Sequence, residues 1–413
     1  MHLHTALASA AFMLVVASGP AAAQAGNVKP PQAQAWIDVA TFSGMGMPMG
    51  GMPGGGGPLS ALGGLFGGGG GEKNSFGHTQ QAAAGRWVDV TLSTRNNPSL
   101  SEAQQAVPTG FMAPALKLQA PPAARAPAPD EDTVVEPTYE RPKGRLLLYW
   151  GCGAAVRAGQ PKVLDMASAS AADLAKFFVS RRATQRGTHS AGGRPVWPSP
   201  PDARMVPATA SLVGEHAFSG AGVPEGFRFQ IPAAQDLMPP LQVQQTDQAG
   251  ATELAWTGLP TARAYFATGM GATTQDEMVI WSSSELPDAG FGLIDYQTNA
   301  AVDRWVREKV LLAPTTTQCT VPKGVFPGEG AMLRLIAYGS ELNLAHPPRP
   351  ADPKAPWEPL WAAKVRVKSV ASVMLGMPSM GQIPAAGSEP SPQQEPEEKK
   401  IKPLDLLKGI LGR

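Results

Sequence analysis

The chain has only two cysteines and six histidines in 413 residues, and its 34 basic side chains are almost cancelled by 33 acidic ones. Each scarcity excludes something. A net charge of +1 argues against a general polyanion binder, so no nucleic-acid partner is expected. No apolar run of about 20 residues follows the N-terminal stretch, so no transmembrane segment is expected there. G-x-S-x-G, H-E-x-x-H, G-x-x-x-x-G-K-S/T and an EF-hand loop are all missing, so no motif assigns an activity. What the chain has in excess is 46 glycines and 42 prolines, about a fifth of its length, where average usage is about 12%. Part of it is therefore expected to lie outside any packed core.

Residues 6–18 form an apolar stretch of signal-sequence length, followed by Gly19-Pro20 and then Ala21-Ala22-Ala23. This reads as an export signal, 1–23, with cleavage between Ala23 and Gln24. Its n-region has no Lys or Arg and offers only His2, His4 and the terminal amine as positive charge. The expected location is periplasmic or extracellular. In an oxidising compartment the single pair Cys152 and Cys319, 167 residues apart in sequence, reads as a disulfide. Two separately buried thiols are the alternative. Neither cysteine has the nearby His or carboxylate companions of a metal site.

Composition divides the remainder. Residues 44–71 hold 15 glycines and four methionines, a Gly/Met-rich insertion too poor in packable side chains to order itself. The same alternating motif stands on either side, Trp36-Ile37-Asp38-Val39 and Trp87-Val88-Asp89-Val90, which predicts two related strands. N-terminal strands are thus placed in 24–43 and 86–118. Ser99 and Glu102 have capping-box spacing, which predicts a short helix over 103–107, ended by Pro108. Eight prolines in 108–142 and the acidic run at 130–132 predict an extended segment, with a Pro-rich linker over 119–142. A β-rich module is expected over 143–235, opened by the strand 146–150 and containing a helix over 171–182. From 241 on, turn signals recur every 8 to 15 residues, the spacing of an antiparallel sandwich. Strands are expected at 210–217, 227–231, 241–246, 252–257, 264–268, 278–282, 317–321, 332–338 and 364–373, with one helix capped by Asn299. The fold class is mainly β, an antiparallel sandwich with a few short helices, a preceding β-rich module and long disordered segments.

The run Leu254-Ala255-Trp256-Thr257-Gly258-Leu259-Pro260 followed by Ala264-Tyr265 resembles the second and third strands of fibronectin type III modules, and 332–338 is similar to the sixth. The resemblance covers about 241–375, within a sandwich domain placed at 236–375. It implies an Ig-like sandwich in which Trp256 and Tyr265 pack across the sheets, and it implies no activity.

Four features could carry function. Met45, Met47, Met49 and Met52 lie within eight residues, and Met374, Met377 and Met380 within seven. Thioethers are soft ligands suited to Cu(I), although the usual His or Cys companions are missing; packing or low-complexity filler is the plainer reading. Lys364, Arg366 and Lys368 alternate along one strand face. This reads as a solvated edge or, with Trp357 and Trp361 as stacking surfaces, an anionic glycan or lipid contact. His189 opens a Gly-rich loop and His216 lies in a strand-like segment, where a turn and a hydrogen-bonded structural histidine are the plain readings; His78 and His346 stand apart from both. Residues 381–413 read as a tail whose Leu404, Leu407 and Leu411 recur at helical spacing, a docking peptide or a frayed end. The expected function is non-catalytic, through contact with an envelope protein or glycan, and no cofactor is required. Periplasmic copper handling through the methionines is the alternative, and a hydrolase with a spatially assembled site is the third.

Overall fold

The computed structural model describes residues 28–44, 76–80, 84–122, 144–179, 181, 187–274, 276–327, 331–352 and 354–375. In chain order the elements begin with β1 (Ala33–Gly44), β2 (Gly85–Thr94), β3 (Glu102–Ala106), β4 (Ala115–Gln119), β5 (Arg145–Trp150), β6 (Lys162–Asp165) and α1 (Ala171–Phe177). Next come β7 (Val196–Trp197), β8 (Gly214–Gly220), β9 (Arg228–Ile231), β10 (Val243–Gln248), β11 (Ala251–Trp256), β12 (Ala264–Thr274) and β13 (Glu277–Ser282). The last are α2 (Asn299–Arg307), β14 (Gln318–Val321), β15 (Met332–Tyr338), β16 (Leu342–His346) and β17 (Trp361–Met374). The protein is mainly β, as its composition and alternation imply.

Fourteen strands form one mixed sheet in the order β6-β5-β13-β12-β15-β17-β1-β2-β7-β4-β3-β8-β9, with β16 also along β17. The other three form a small antiparallel sheet, β10-β11-β14. At the centre, β1 runs parallel to β17 from Ala33 opposite Trp361 to Gly44 opposite Ser372, and antiparallel to β2. The two Trp-x-Asp-Val strands are therefore neighbours. The first of them also sits beside the last strand of the described chain, and β5 runs parallel to β13. Segments expected as N-terminal strands (24–43 and 86–118), a β-rich module (143–235) and a sandwich (236–375) all contribute strands to one sheet. Parallel pairs join pieces of chain remote in sequence, which composition along the chain does not register.

One face of the sheet packs against the small sheet. There Leu254, Trp256, Cys319 and Val321 meet Tyr265, Trp281, Leu335, Val365 and Val367 in the largest apolar cluster. The β8–β9 end curls back over this same face, so that Phe227 stacks on Trp361 at 4.9 Å. The opposite face is covered by α1, by α2 through Val302 and Trp305, and by the loop preceding α2 through Leu293. Because both faces of the central strands are covered, β1 is buried along most of its length.

Local expectations differ at several points. Residues 103–107 fall largely in a strand: β3 has alternating burial and pairs with β4 and β8, so sheet partners override the capping-box spacing. β4 likewise occupies part of the Pro-rich stretch. The helix expected over 171–182 stops at Phe177, and its capping box is Ser170 with Asp173. Thr298, not Asn299, caps α2; the Asn299 side chain instead bonds the backbone of Glu341. The export signal, most of the insertion, the stretch 123–143 and the tail with Leu404, Leu407 and Leu411 lie outside the described residues.

Candidate functional site

The least ordinary feature of the interior is a row of charge across its middle. Register places Asp89 of β2 opposite Asp38 of β1, and Asp38 opposite Arg366 of β17; all three side chains share one face of the sheet. The next positions bring Lys368 opposite Ala40 and Lys364 opposite Trp36. Asp38 and Asp89 are 0% exposed, Arg366 2% and Lys368 4%. The basic stripe is therefore no solvated edge. β17 is a central strand, and its stripe lies beneath the loops that cover this face.

Each charge is satisfied differently. Arg366 grips Asp38 with two parallel bonds, Nε to Oδ1 and Nη2 to Oδ2, both 2.6 Å. Thr188 adds its hydroxyl at 2.7 Å and its backbone N–H at 3.2 Å to Oδ2. A Cβ on Gly187 would come within 2.2 Å of Arg366 Nη2, so only glycine lets that loop close over the pair. Burial works against the Arg366 charge, but the Asp38 carboxylate outweighs it and holds the guanidinium protonated. Asp89 instead receives the backbone N–H groups of Gly77 and Thr79 and the Thr79 hydroxyl at 2.6 Å. Burial pushes its carboxyl up to about 6, against the lowering effect of those bonds.

Lys368 has no such partner. Its ammonium makes no hydrogen bond or ion pair among the described residues and lies 4.3 Å from the centroid of the Tyr296 ring, which also faces the Arg366 guanidinium at 4.5 Å. Burial pushes the amine down to about 8, with Asp295 pulling the other way. Arg334, on the same face of β15, is lowered by burial, and its Nε has no hydrogen-bond partner. Asp38, Asp89, Arg366 and Lys368 are thus almost wholly withdrawn from solvent.

The other residues singled out in the sequence are scattered. Cys152, just after β5, is bonded to Cys319 on β14, with Cα atoms 5.2 Å apart, and so ties the large sheet to the small one. His216 is fully buried: its Nδ1 lies 2.9 Å from Gln105 Nε2 and its Nε2 2.8 Å from Leu212 O. Since a carbonyl only accepts, Nε2–H donates to Leu212 O, and burial lowers the ring's pKa. His189 is exposed, and its loop reaches the charged row through Thr188 rather than through the imidazole. His78 stacks on Trp87 at 4.4 Å in the turn that Asp89 holds, and His346 stacks on Trp361. Trp361 belongs to the opposite face from the basic stripe, and Trp357 bonds Pro347 O through its indole N–H, so these do not assemble into one stacking site. Met374 ends β17, whereas Met45, Met47, Met49, Met52, Met377 and Met380 lie outside the described residues. Among the described residues, no group of three or more His, Cys, Asp or Glu side chains could hold a metal.

Two shallow clefts mark the surface, each of about 380 Å³. One lies on the β3–β4–β8 region and presents Glu102, Gln104, Lys117, Gln119 and Ser219. The other is bounded by Pro30, Pro31 and Pro98 and holds Gln34, Arg95 and Arg194. Arg95 donates from Nε to Pro31 O and lies 3.6 Å from Glu358. The Arg194 guanidinium has no partner among the described residues. The sequence offered no signal for this cleft, because its residues come from three separated segments of the chain. Comparison of the chain with family models, with curated proteins and with solved structures finds no match.

Proposed function

We propose that the protein is an exported, non-catalytic β scaffold that acts by contact with a protein or glycan at the cell envelope, and that the cleft around Arg194 is the contact site for an anionic group on that partner. The observation that carries this reading is the unpartnered guanidinium between proline walls. Arg presents a fixed fork of donors suited to a carboxylate or phosphate, and the prolines supply rigid apolar surface beside it. The buried acids and the buried histidine support the same reading, since Asp38, Asp89, His216 and the Asp288–Arg181 pair are bonded within the protein, and Lys368 faces an aromatic ring rather than a cleft. Export is supported by the disulfide and by the N-terminal sequence; among the described residues no helix is long and apolar enough to cross a membrane.

We read 236–375 as a fibronectin III-like sandwich extended by further strands. Counted from β10, the first, second and fifth strands (β10, β11, β14) make one sheet. The fourth, third, sixth and last (β13, β12, β15, β17) run consecutively in the other. Trp256 on the second strand and Tyr265 on the third pack with ring centroids 5.4 Å apart. Such a module is a spacer and a binding surface, which agrees with the contact role.

Co-sedimentation with purified sacculi, and retention on columns of carboxylated and of neutral oligosaccharides, test the cleft. Carboxylated material should be retained, and Arg194→Ala should weaken retention at least about fivefold, or about 1 kcal/mol. Equal retention of neutral material, or an unchanged Arg194→Ala protein, would remove the cleft from the reading.

A further inference from the structure

The strand register assembles a set of side chains that no segment of sequence displays. Met270 of β12 is the direct partner of Met332 of β15, and Met332 is the direct partner of Met374 of β17. Three methionines therefore stand side by side on one face of three adjacent strands. Neighbouring strands are about 4.8 Å apart, and directly opposed side chains start from Cβ atoms about 4.5–5.5 Å apart. All three are half-buried. Met332 and Met374 belong to none of the apolar clusters, whereas Met270 packs at the edge of the one under α1. Methionines used only to fill a core would be enclosed by it. These two are not.

The placement of the row in the topology adds a second, independent observation. β1 ends at Gly44 in register with Ser372, two residues before Met374. The chain leaves that point with Met45, Met47, Met49 and Met52, and it leaves β17 with Met377 and Met380. Two methionine-rich runs from opposite ends of the sequence thus attach to the same end of the sheet, beside the row.

We propose that Met270, Met332 and Met374 form a binding site for a soft monovalent metal ion, Cu(I) or Ag(I). Thioethers are neutral, polarisable donors that favour such ions over Mg²⁺, Ca²⁺ or Zn²⁺. Three rotatable bonds in each side chain let the central sulfur and its two neighbours turn toward one ion without movement of the backbone. Thiolates do not compete, because Cys152 and Cys319 are bonded to each other. Arg334, two residues from Met332 on the same face of β15, is the nearest cation along that strand, and neutral thioethers bring no negative charge, so the site suits a monovalent ion rather than a divalent one.

Ag(I), which needs no reductant and leaves the disulfide intact, is the probe. In full-length protein carrying ¹³C-methyl methionine, one equivalent should shift the methyl signals of Met270, Met332 and Met374 together. The dissociation constant should be below about 1 μM. The variant Met270→Leu/Met332→Leu/Met374→Leu keeps the apolar volume and should bind at least tenfold more weakly. The variant Met45→Leu/Met47→Leu/Met49→Leu/Met52→Leu should leave those three shifts in place. Unmoved signals in the unaltered protein would overturn the site, even if the triple variant failed to fold. So would a folded triple variant that binds undiminished, or loss of the three shifts in the 45–52 variant.

Discussion

The two faces of β17 are equally dry at its centre and chemically opposite. Val365 and Val367 point into the cluster shared with the small sheet at 0% and 4% exposure; Arg366 and Lys368 point the other way at 2% and 4%. Dryness alone does not decide composition. An apolar face is stabilised by whatever it touches, roughly in proportion to area. A charged face is stabilised only where each charge meets its complement. The three basic residues of the stripe differ in that respect. Arg366 has Asp38, Lys364 has Glu341 at 3.0 Å near the rim, and Lys368 has only an aromatic ring. Three substitutions to Met on one strand face should therefore have effects of different size and sign.

Arg366→Met should have the largest effect. It strands the Asp38 carboxylate at 0% exposure with Thr188 as its remaining donor, and such half-broken buried pairs cost about 3–5 kcal/mol. Adding Asp38→Leu removes the orphaned charge, so the double variant should recover much of the loss. Urea denaturation of the two proteins decides it. A loss under 1 kcal/mol in Arg366→Met would mean that the pair contributes little and that the faces are energetically alike.

Next in size is the link between the sheets. Replacing Cys152 and Cys319 with Ala should lower stability by about 2–4 kcal/mol, as for other bridges closing long loops. If the loss is under 0.5 kcal/mol in the same assay, the small sheet is held by its apolar contacts alone.

Lys368→Met should raise stability. The amine titrates near 8 in the fold and at 10.5 when free, so the folded protein binds this proton less tightly than the unfolded chain does. Its contribution is full above about 10.5 and is lost as pH falls through about 8, leaving a penalty on the order of 3 kcal/mol at pH 7. Methionine escapes the penalty but loses the attraction to the Tyr296 ring, itself about 1–2 kcal/mol. The expected gain is about 1–2 kcal/mol at pH 7, shrinking toward zero above pH 10. A variant less stable than the parent at pH 7 would show that the ammonium is better solvated than its surroundings indicate.

Much of this arrangement was legible in the residues, and the remainder was hidden for identifiable reasons. Residues 332–338 read as a strand and are one, because apolar side chains recur there within clear limits. The paired Trp-x-Asp-Val motifs announced two related strands. Their aspartates, set in otherwise apolar alternation, were the available signal for a buried acid pair, and Lys364, Arg366 and Lys368 were the complementary signal. Period-2 alternation marks a strand with two unlike faces, but it does not say which face is covered. That depended on α2 and the loops around Thr188 and Tyr296, none of which adjoins the stripe in sequence. The short strands β6, β7 and β16, of two to five residues, are too brief to show a period. The methionine row was invisible because its members, Met270, Met332 and Met374, meet only through sheet register.

Lys364→Met should have the smallest effect and is the most discriminating control. The Lys364 side chain is 20% exposed and its partner Glu341 6%, so the pair sits at the rim of the covered face. Glu341 keeps the Asn343 side chain as a donor when the lysine is removed, and the methionine stem still covers Trp36. A loss of about 0.5–1 kcal/mol is expected, falling further in 1 M salt because rim charges are screened. The same salt should leave the Arg366→Met loss nearly unchanged, since that pair is out of reach of counter-ions. If Lys364→Met instead cost as much as Arg366→Met, and salt did not reduce it, the rim would belong to the sealed row. The contrast along β17 would then reduce to one between the unpartnered lysine and everything else.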